Sequence, residues 1–354
     1  MTTPVLLGAI DPESRDADLP AHYGDPMREQ RTAEAAAVLV DRSNRGIVAI
    51  TGPERLTWLH NLSTQHLLAL APGEGTELAV LSPHGHLEHH AALVDDGSTT
   101  WLDVEPGTAG DLLDFLLKMR FMTRADPVDV TADWALLSLV GPGAGEPLAR
   151  LGVTEPAPPR VDPVPGAKFS SASVAARPTT VYPTVPLPDG GWARRHEGRI
   201  DLLVRRAAVP DVAAALGVPL AGIWAYEALR VAARQPRMGF ETDHRTLPAE
   251  IDLLAPAVHL DKGCYRGQET VARVHHLGRP PRRLVLLHLD GVATDQPPAP
   301  GTPVTGPDGR TVGFVGTAVR HHELGMVALA VVKRGVADDA RLMVGESAAS
   351  IDPG

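Results

Sequence analysis

The spacing of apolar residues predicts alternating helices and strands over the first three-quarters of the chain. Residues 46–52 are a β-branched run that ends at Gly-Pro, which is typical of a strand, and Trp134–Val140 has the same character. Residues 27–39 and 107–120 instead have helical periodicity. Further strands are predicted at 78–81, 91–94, around Trp192 and at 200–204, and further helices at 53–62, 209–216 and 222–234.

The last quarter of the chain has the pattern of an all-β domain. A Pro/Arg hinge at 278–283 precedes it, and five prolines between Pro156 and Pro165 mark an earlier loop or boundary. We therefore predict an α+β fold that ends in a small antiparallel β-barrel or sandwich. The predicted strands of this part are 284–289, 312–319 and 326–332. The predicted domains are an N-terminal α+β domain at 1–145, a second α+β domain at 146–278 and a barrel at 279–354.

Composition and charge narrow the class of protein. A length of 354 residues suggests two or three domains and allows a sizeable core without disulfides. The net charge of -10 argues against direct binding of nucleic acid or of anionic membranes. Cys264 is the single cysteine, which excludes an internal disulfide and fits a reducing compartment. Because the start lacks the basic segment of a signal peptide and no apolar run reaches roughly 18 residues, we expect a cytoplasmic protein.

The segment KGCYRGQE, which begins at Lys262, combines residue types that favour chemistry or ligand binding. Lys262 lies two residues before Cys264, and a nearby cation favours the thiolate, so Lys262 is the candidate activator of a reactive thiol. Tyr265 offers a flat face for stacking, while Gln268 and Glu269 can hydrogen-bond the edge of a heterocycle. The alternative is that Cys264 is buried and inert, as lone cysteines often are.

KGCYRGQE closely resembles the K-G-C-Y-x-G-Q-E signature of the YgfZ family, which are folate-binding relatives of the glycine-cleavage T-protein, an aminomethyltransferase. The resemblance extends over most of the chain and includes residues 51–53, 226–236, 238–243 and 313–317. It implies a T-protein-like arrangement of two α+β domains and a β-barrel around a central channel that takes tetrahydrofolate or a one-carbon derivative. It also implies a monomer whose clients are iron–sulfur cluster enzymes, including those that modify tRNA.

The resemblance adds candidate folate ligands outside the signature. Tyr226 stands where the family has an aromatic folate contact, and Arg230, four residues further along the predicted helix, could bind a carboxylate of the glutamate tail. Arg45 falls at the family's other aromatic contact, and Glu241 could bind the amino groups of the pterin. A core aromatic at Tyr226 and a solvated loop carboxylate at Glu241 are the alternatives. The predicted folate-binding residues are therefore Arg45, Tyr226, Arg230, Glu241, Tyr265, Gln268 and Glu269.

Two stretches depart from the T-protein pattern. Where the T-protein reads G-G-x-x-D-D, with an aspartate that serves aminomethyl transfer, this chain has Gly85 followed by Glu88 and His89. The folate-gripping stretch G-Y-T-G-E-D-G has no clean counterpart at residues 192–198. Both departures count against a classical aminomethyltransferase, in which Glu88 would have to be the catalytic carboxylate.

Three functions stay open at this point. The first is a folate-dependent accessory factor for iron–sulfur enzymes, with Cys264 as a reactive or partner-contacting thiol. The second is an aminomethyltransferase or another one-carbon transferase that uses Glu88. The third is a scaffold that binds proteins through the barrel and takes no folate. The histidines from His84 to His90 suggest either a metal site or a hydrogen-bonded hairpin, and the predicted turn at Gly85 favours the hairpin, so no metal site is predicted.

Overall fold

Antiparallel strands dominate the structure, a computed structural model that describes residues 6–161, 179–292 and 296–353. Contacts divide the chain into two compact units. Unit 1 comprises Met1–Leu81, His89–Ala225 and Leu254–Arg266, and unit 2 comprises Ser82–Glu88, Tyr226–Leu253 and Gly267–Gly354, as far as these are described. The domain limits at 145 and 278 stay predictions, and Pro163 and Pro165 of the predicted boundary lie outside the described residues.

Short strands and helices alternate along the described residues. The strands are β1 (Ala9–Ile10), β2 (Pro20–His22), β3 (Val38–Asp41), β4 (Gly46–Thr51), β5 (Glu74–Leu81), β6 (Leu87–Asp95), β7 (Thr99–Val104), β8 (Asp126–Asp129), β9 (Trp134–Val140), β10 (Arg160–Val161), β11 (Thr180–Pro186), β12 (Trp192–His196), β13 (Arg199–Arg205), β14 (Leu220–Ala221), β15 (Arg282–Leu289), β16 (Pro303–Thr305), β17 (Thr311–His321), β18 (Gly325–Lys333), β19 (Leu342–Val344) and β20 (Ser347–Ile351). The α-helices are α1 (Pro26–Ala35), α2 (Arg55–Leu62), α3 (Ala109–Lys118), α4 (Val209–Leu216), α5 (Ile223–Ala232), α6 (Leu254–Ala257) and α7 (Gln268–Leu277). Short 3-10 helices lie at Glu146–Leu151, Arg206–Ala208 and Pro248–Glu250. None of the described helices has the length and apolar character that crossing a membrane requires.

Unit 1 is built on one long sheet. Its strand order is β14-β3-β9-β13-β12-β11-β5-β6-β7-β4-β8, and β10 pairs with β11. The pair β14–β3 is parallel, whereas β3–β9, β9–β13 and β13–β12 are antiparallel. Helices α2 and α3 pack on the part of the sheet that contains β4 and β6, through Leu59, Leu112 and Leu116 against Val48 and Leu93.

The two halves of this sheet also pack against each other. Ile47 from β4 and Val94 from β6 share one core cluster with Trp134 from β9, Trp192 from β12 and Leu203 from β13. Because these strands are far apart in the strand order, the sheet must curl so that its halves face one another. This curvature brings charged side chains from distant strands onto one face.

Unit 2 contains a closed antiparallel barrel in the order β15-β18-β17-β16-β19-β20. On β18, Ala328 and Ala330 point into the barrel core, while the alternate residues Val327 and Leu329 pack outside it against Val231 of α5. Burial on both faces explains why β18 has an uninterrupted apolar sequence. The predicted α+β fold with a C-terminal antiparallel barrel is thereby confirmed.

Helices α1 and α7 differ from the sequence prediction, and the short helix α6 was not predicted either. The helix predicted at 27–39 is wrong at its end, because α1 stops at Ala35 and Val38 begins β3. Residues 38–41 pair with β9 in the sheet, and this pairing overrides the helical spacing. Helix α7 was not predicted at all; Val271 is its one buried residue, so the helix carries almost no periodic apolar signal.

Candidate functional site

The second half of the signature enters α7 through a turn that requires glycine. Gly267 precedes the helix with φ of +81°, a conformation that other residues rarely adopt. A Cβ at Gly267 would lie 2.6 Å from the carbonyl oxygen of Ser82 and 2.8 Å from Cα of Gly85. In turn, a Cβ at Gly85 would lie 2.7 Å from Cβ of Thr270. Unit 2 thus brings the signature turn against the hairpin turn at Gly85, two features that are distant in the sequence.

Lys262 is held at the end of helix α2. Its buried ammonium donates hydrogen bonds to the backbone carbonyl oxygens of His60, Ser63 and Gln65, the last at 3.3 Å. A cation at a helix C-terminus satisfies unpaired carbonyls and complements the helix dipole. Burial lowers the pKa of Lys262 to about 7, while the three carbonyl acceptors favour its charged form. These contacts give Lys262 a structural role, and its activation of Cys264 stays a prediction.

The middle of the signature combines an exposed thiol with a buried ring. Cys264 is a free cysteine exposed to solvent, so the alternative in which it is buried packing is wrong. Tyr265 is buried, with its ring centroid 5.3 Å from Nζ of Lys262, which argues against an open stacking face. Gln268 and Glu269 form the first turn of α7, where Gln268 is half-buried and Glu269 is exposed.

Arg230 lies in a buried ion network of unit 2 that pairs all of its donors. Its Nε and Nη2 donate to the carboxylate of Glu227 at 2.8 and 2.5 Å. Its Nη1 donates to the carbonyl oxygen of Gln235 at 2.9 Å and to Glu241 at 3.4 Å, and Nη2 also donates to the hydroxyl of Thr317 at 2.5 Å. All five N–H groups of this buried arginine therefore have acceptors. This arrangement argues against the predicted contact with a folate carboxylate.

The two other predicted folate contacts on this side are buried. Glu241 is fully buried, so the alternative of a solvated loop carboxylate is wrong. One of its oxygens accepts from the backbone N–H of Arg237 at 2.8 Å, and the other packs against Gly316, where a Cβ would lie 2.6 Å from it. Tyr226 is also buried in α5, which agrees with the alternative of a core aromatic.

Arg45 belongs to a buried ion cluster of unit 1. Its Nε donates to Asp103 at 2.9 Å and its Nη1 donates to Glu105 at 2.8 Å. Asp103 also pairs with Arg194 at 2.7 Å, and Arg194 continues to Asp201 at 3.2 Å. Arg45 thus has an ion-pairing role in the curled sheet, and its folate contact stays a prediction.

A row of polar side chains crosses five neighbouring strands of the unit 1 sheet, and sequence reasoning missed it. This polar row consists of Asp201, His196, Tyr182, Glu77 and His90, from β13, β12, β11, β5 and β6. His196 Nε2 lies 3.1 Å from the carboxylate of Asp201, and the rings of His196 and Tyr182 are 4.3 Å apart. The hydroxyl of Tyr182 donates to Oε1 of Glu77 at 2.5 Å, and Nε2 of His90 lies 2.8 Å from Oε2. Tyr182 and Glu77 are 105 residues apart, so the sequence gives no sign that they meet. The local signal available was a charged residue, Glu77, inside the apolar strand β5.

Burial and hydrogen bonds set the charges of the polar row. Burial raises the pKa of Glu77, but the hydrogen bonds from His90 and Tyr182 outweigh it and lower this pKa to about 2. Burial, together with nearby arginines, lowers the pKa of His196 to about 4. At neutral pH the row therefore contains an ionised Glu77 beside His90 and a neutral His196.

The hairpin that carries Glu88 has the predicted turn. Gly85 has φ of +81°, and Glu88 is a half-buried residue at the start of β6. The neighbouring histidines diverge, because His89 packs on Phe115 with ring centroids 5.7 Å apart whereas His90 joins the polar row. Each of these two histidines thus has its own partner in unit 1.

Comparison with solved structures identifies the class of fold. The glycine cleavage system aminomethyltransferase T from Bartonella henselae matches 94% of this chain and 90% of its own with a TM-score of 0.75 and 19% sequence identity. The chain therefore has the fold of the aminomethyltransferase T-protein. No protein-family model matches the chain.

Curated relatives agree with this fold. A putative chloroplastic transferase of Arabidopsis thaliana is 26% identical over 281 residues, which are 78% of this chain and 60% of that protein, so the chain spans only part of the relative's length. The aminomethyltransferase of Symbiobacterium thermophilum is 27% identical over 277 residues, 77% of this chain and 72% of its own. That of Bacillus subtilis is 25% identical over 320 residues, 89% of this chain and 84% of its own. The T-protein-like resemblance is confirmed, and membership of the YgfZ family stays a prediction.

Proposed function

We propose that this chain binds tetrahydrofolate, or a one-carbon derivative of it, and serves as an accessory protein for iron–sulfur cluster enzymes. The aminomethyltransferase fold, the aminomethyltransferases among its relatives and the YgfZ-like signature support a folate ligand. The observation that carries the accessory role is the exposed Cys264, on a loop that Lys262 fixes to the end of α2. A thiol that is exposed on a fixed loop can contact a partner protein without unfolding any of the core.

The partners in this proposal are proteins. The clients are iron–sulfur enzymes, including those that modify tRNA, and the net charge of -10 disfavours direct contact with the nucleic acid itself. The chain acts as a monomer in the cytoplasm. Cys264 is the residue proposed to reach the client.

A folate-dependent one-carbon transferase is the second candidate, because several relatives are aminomethyltransferases. Glu88 then supplies the carboxylate, from its half-buried position in β6. The histidine at position 89, in place of a second acid, weighs against this role. Turnover of an aminomethylated lipoyl carrier with tetrahydrofolate, lost in Glu88→Gln, would establish the transferase, and absence of turnover supports the accessory protein.

Calorimetric titration of the full chain with tetrahydrofolate tests the folate ligand. We expect saturable heat and a rise of Tm with ligand concentration. Glu269→Gln, in the exposed first turn of α7, is expected to weaken binding about tenfold because a charged hydrogen bond is lost. Glu323→Gln, at an exposed residue after β17, is the matched control. Absence of both heat and thermal shift leaves the protein-binding scaffold as the function.

Complementation of a deletion strain tests the accessory role. Cys264→Ala is expected to abolish complementation while folding is retained, since the thiol is exposed. Cys264→Ser keeps the size of the side chain and separates thiol chemistry from packing. Full complementation by Cys264→Ala contradicts the proposal.

A further inference from the structure

The open end of the polar row is the pair Glu77 and His90. The side chains of His90 and Glu77 are 18% and 14% exposed, whereas Tyr182, His196 and Asp201 are buried. The carboxylate of Glu77 is fixed on both oxygens, by the hydroxyl of Tyr182 and by His90. The pair is therefore the point at which a solute can reach the row.

Glu77 orients the imidazole of His90. Because the ionised carboxylate can only accept, Nε2 of a neutral His90 carries the proton of the 2.8 Å hydrogen bond. Nδ1 is then an acceptor, and the described part of the chain gives it no hydrogen-bond partner. A carboxylate that holds one nitrogen of a histidine fixes the ring, so the other nitrogen presents its lone pair in a fixed direction as a hydrogen-bond acceptor.

Glu77 and His90 together favour ligands that donate hydrogen bonds. They offer one ring nitrogen acceptor, the remaining lone pairs of Glu77 and a negative charge. A ligand group with several N–H bonds complements these features, and positive charge on that group strengthens each bond. Carboxylates and phosphates are disfavoured, because Glu77 repels them.

We infer that Glu77 and His90 form a binding site for an N–H donor group, either a primary amine or the amino edge of a heterocycle, with Nδ1 of His90 as the hydrogen-bond acceptor. An ammonium ligand donates an N–H hydrogen bond to Nδ1 of His90, and the proton stays on the ligand nitrogen because an amine is a stronger base than imidazole. The ionised Glu77 stabilises the positive charge of the ligand. This inference deepens the proposed function, on which it rests only for the identity of the natural ligand.

Nitrogen-15 NMR of His90 in the full chain tests the site with two probes, methylammonium and tetrahydrofolate. We expect the Nε2-protonated tautomer in the free protein and a shift of the Nδ1 resonance on addition of a probe that binds. Glu77→Gln is expected to weaken this binding about ten- to hundredfold, because it replaces a charge-assisted hydrogen bond by a neutral one. His89→Gln, at the neighbouring histidine that packs on Phe115, is the matched control and should leave binding unchanged.

A second variant keeps the test valid if Glu77→Gln fails to fold. Glu77 is largely buried, so His90→Gln, which keeps the Glu77–Tyr182 hydrogen bond, is measured alongside it by calorimetry with the same probes. We expect this variant to stay folded and to lose the response to methylammonium. A folded His90→Gln that binds both probes as the wild type does overturns the site.

The two probes separate this inference from the folate claim. A His90 response to methylammonium without binding of tetrahydrofolate supports the site and contradicts the proposed folate ligand. Binding of tetrahydrofolate that neither shifts His90 nor weakens in Glu77→Gln supports folate and overturns the site. If neither probe shifts His90, the Glu77–His90 contact is a structural ion pair.

Discussion

Two buried arginines of this chain are used in opposite ways. Arg230, in unit 2, meets an acceptor with each of its five N–H groups. Arg194, in unit 1, is 1% exposed and contacts Asp103 and Asp201 through Nη2, yet its Nε and Nη1 have no hydrogen-bond partner among the described residues. Because buried donors are nearly always satisfied in native structures, Arg230 is the usual case and Arg194 is the exception. Arg230, which was predicted to bind a ligand, therefore has a structural role.

Lys262 and His90 show the same contrast between a side chain whose hydrogen bonds are all made and one that can still make a bond. Lys262 is saturated, since three carbonyl oxygens accept from its ammonium. His90 is open, since one ring nitrogen is fixed by Glu77 and the other has no partner in the described residues. The contacts of Lys262 therefore give it a structural role, whereas His90 can still accept a hydrogen bond from a ligand.

Arg230→Met is expected to have the largest effect on stability. Within the described residues, the variant leaves Glu241 with the backbone N–H of Arg237 and leaves Glu227 with the guanidinium of Arg237. Removing one partner from a buried charge network costs about 3–5 kcal/mol of unfolding free energy. Denaturant unfolding of the full chain measures the loss, with Arg310→Gln at an exposed barrel arginine as the control. A loss no larger than that of the control would show that the network does not stabilise unit 2.

Arg194→Met is expected to cost less, about 1–3 kcal/mol, although the residue is almost fully buried. Asp103 keeps its contact with Arg45, and Asp201 keeps its contact with Arg42, so each carboxylate retains a cation. The same unfolding experiment measures this loss. A loss of unfolding free energy as large as that of Arg230→Met would contradict the expected difference between the two arginines.

Sequence reasoning predicted the parts of the fold that depend on local pattern. The bounds of β9 (Trp134–Val140) and of α4 (Val209–Leu216) follow from an apolar run and from helical spacing, each ended by glycine. The barrel was predicted because its strands are separated by Gly/Pro turns. Residues 38–39 were assigned to a helix because their pairing with β9, about a hundred residues away, has no local signal.

The candidate site was harder to predict, because saturation is a property of partners in space. Tyr226 and Arg230 share a helix face as predicted, but the sequence did not reveal that Glu227, three residues before Arg230, takes two of its donors. The motif drew attention to Cys264, whose exposure is now established. The polar row has no motif at all, since five strands supply one residue each.

Acid is expected to destabilise unit 1 through His196 of the polar row. Burial and nearby arginines lower its pKa from 6.5 to about 4, so between these values the unfolded chain binds a proton that the folded chain does not. The contribution of His196 to the unfolding free energy is therefore fully present above the unfolded-state pKa of 6.5. It decreases as the pH falls towards the folded-state pKa of about 4, by at most about 1.4 kcal/mol per pH unit. Thermal unfolding against pH measures this slope.

His196→Gln should remove the part of the stability decrease at acid pH, the acid slope, that His196 contributes. His60, whose pKa burial lowers to about 4, keeps its own share in the variant. His276→Gln, at an exposed histidine of α7, is the control and should leave the slope unchanged. An acid slope that is the same with and without His196 would contradict the assignment.

The smallest change is expected in the reactivity of Cys264 when Lys262 is replaced. If the ammonium activated the thiol, Lys262→Met would slow its alkylation at neutral pH by about tenfold or more, while Lys262→Arg would preserve the rate. The ammonium instead donates to three carbonyls at the end of α2, so we expect both variants to stay within about twofold of the wild type. Mass spectrometry of the folded chain after timed exposure to iodoacetamide measures the rates. A slow Met variant beside a fast Arg variant would restore the activator role, whereas equal rates make Lys262, like Arg230, a saturated cation that holds the fold.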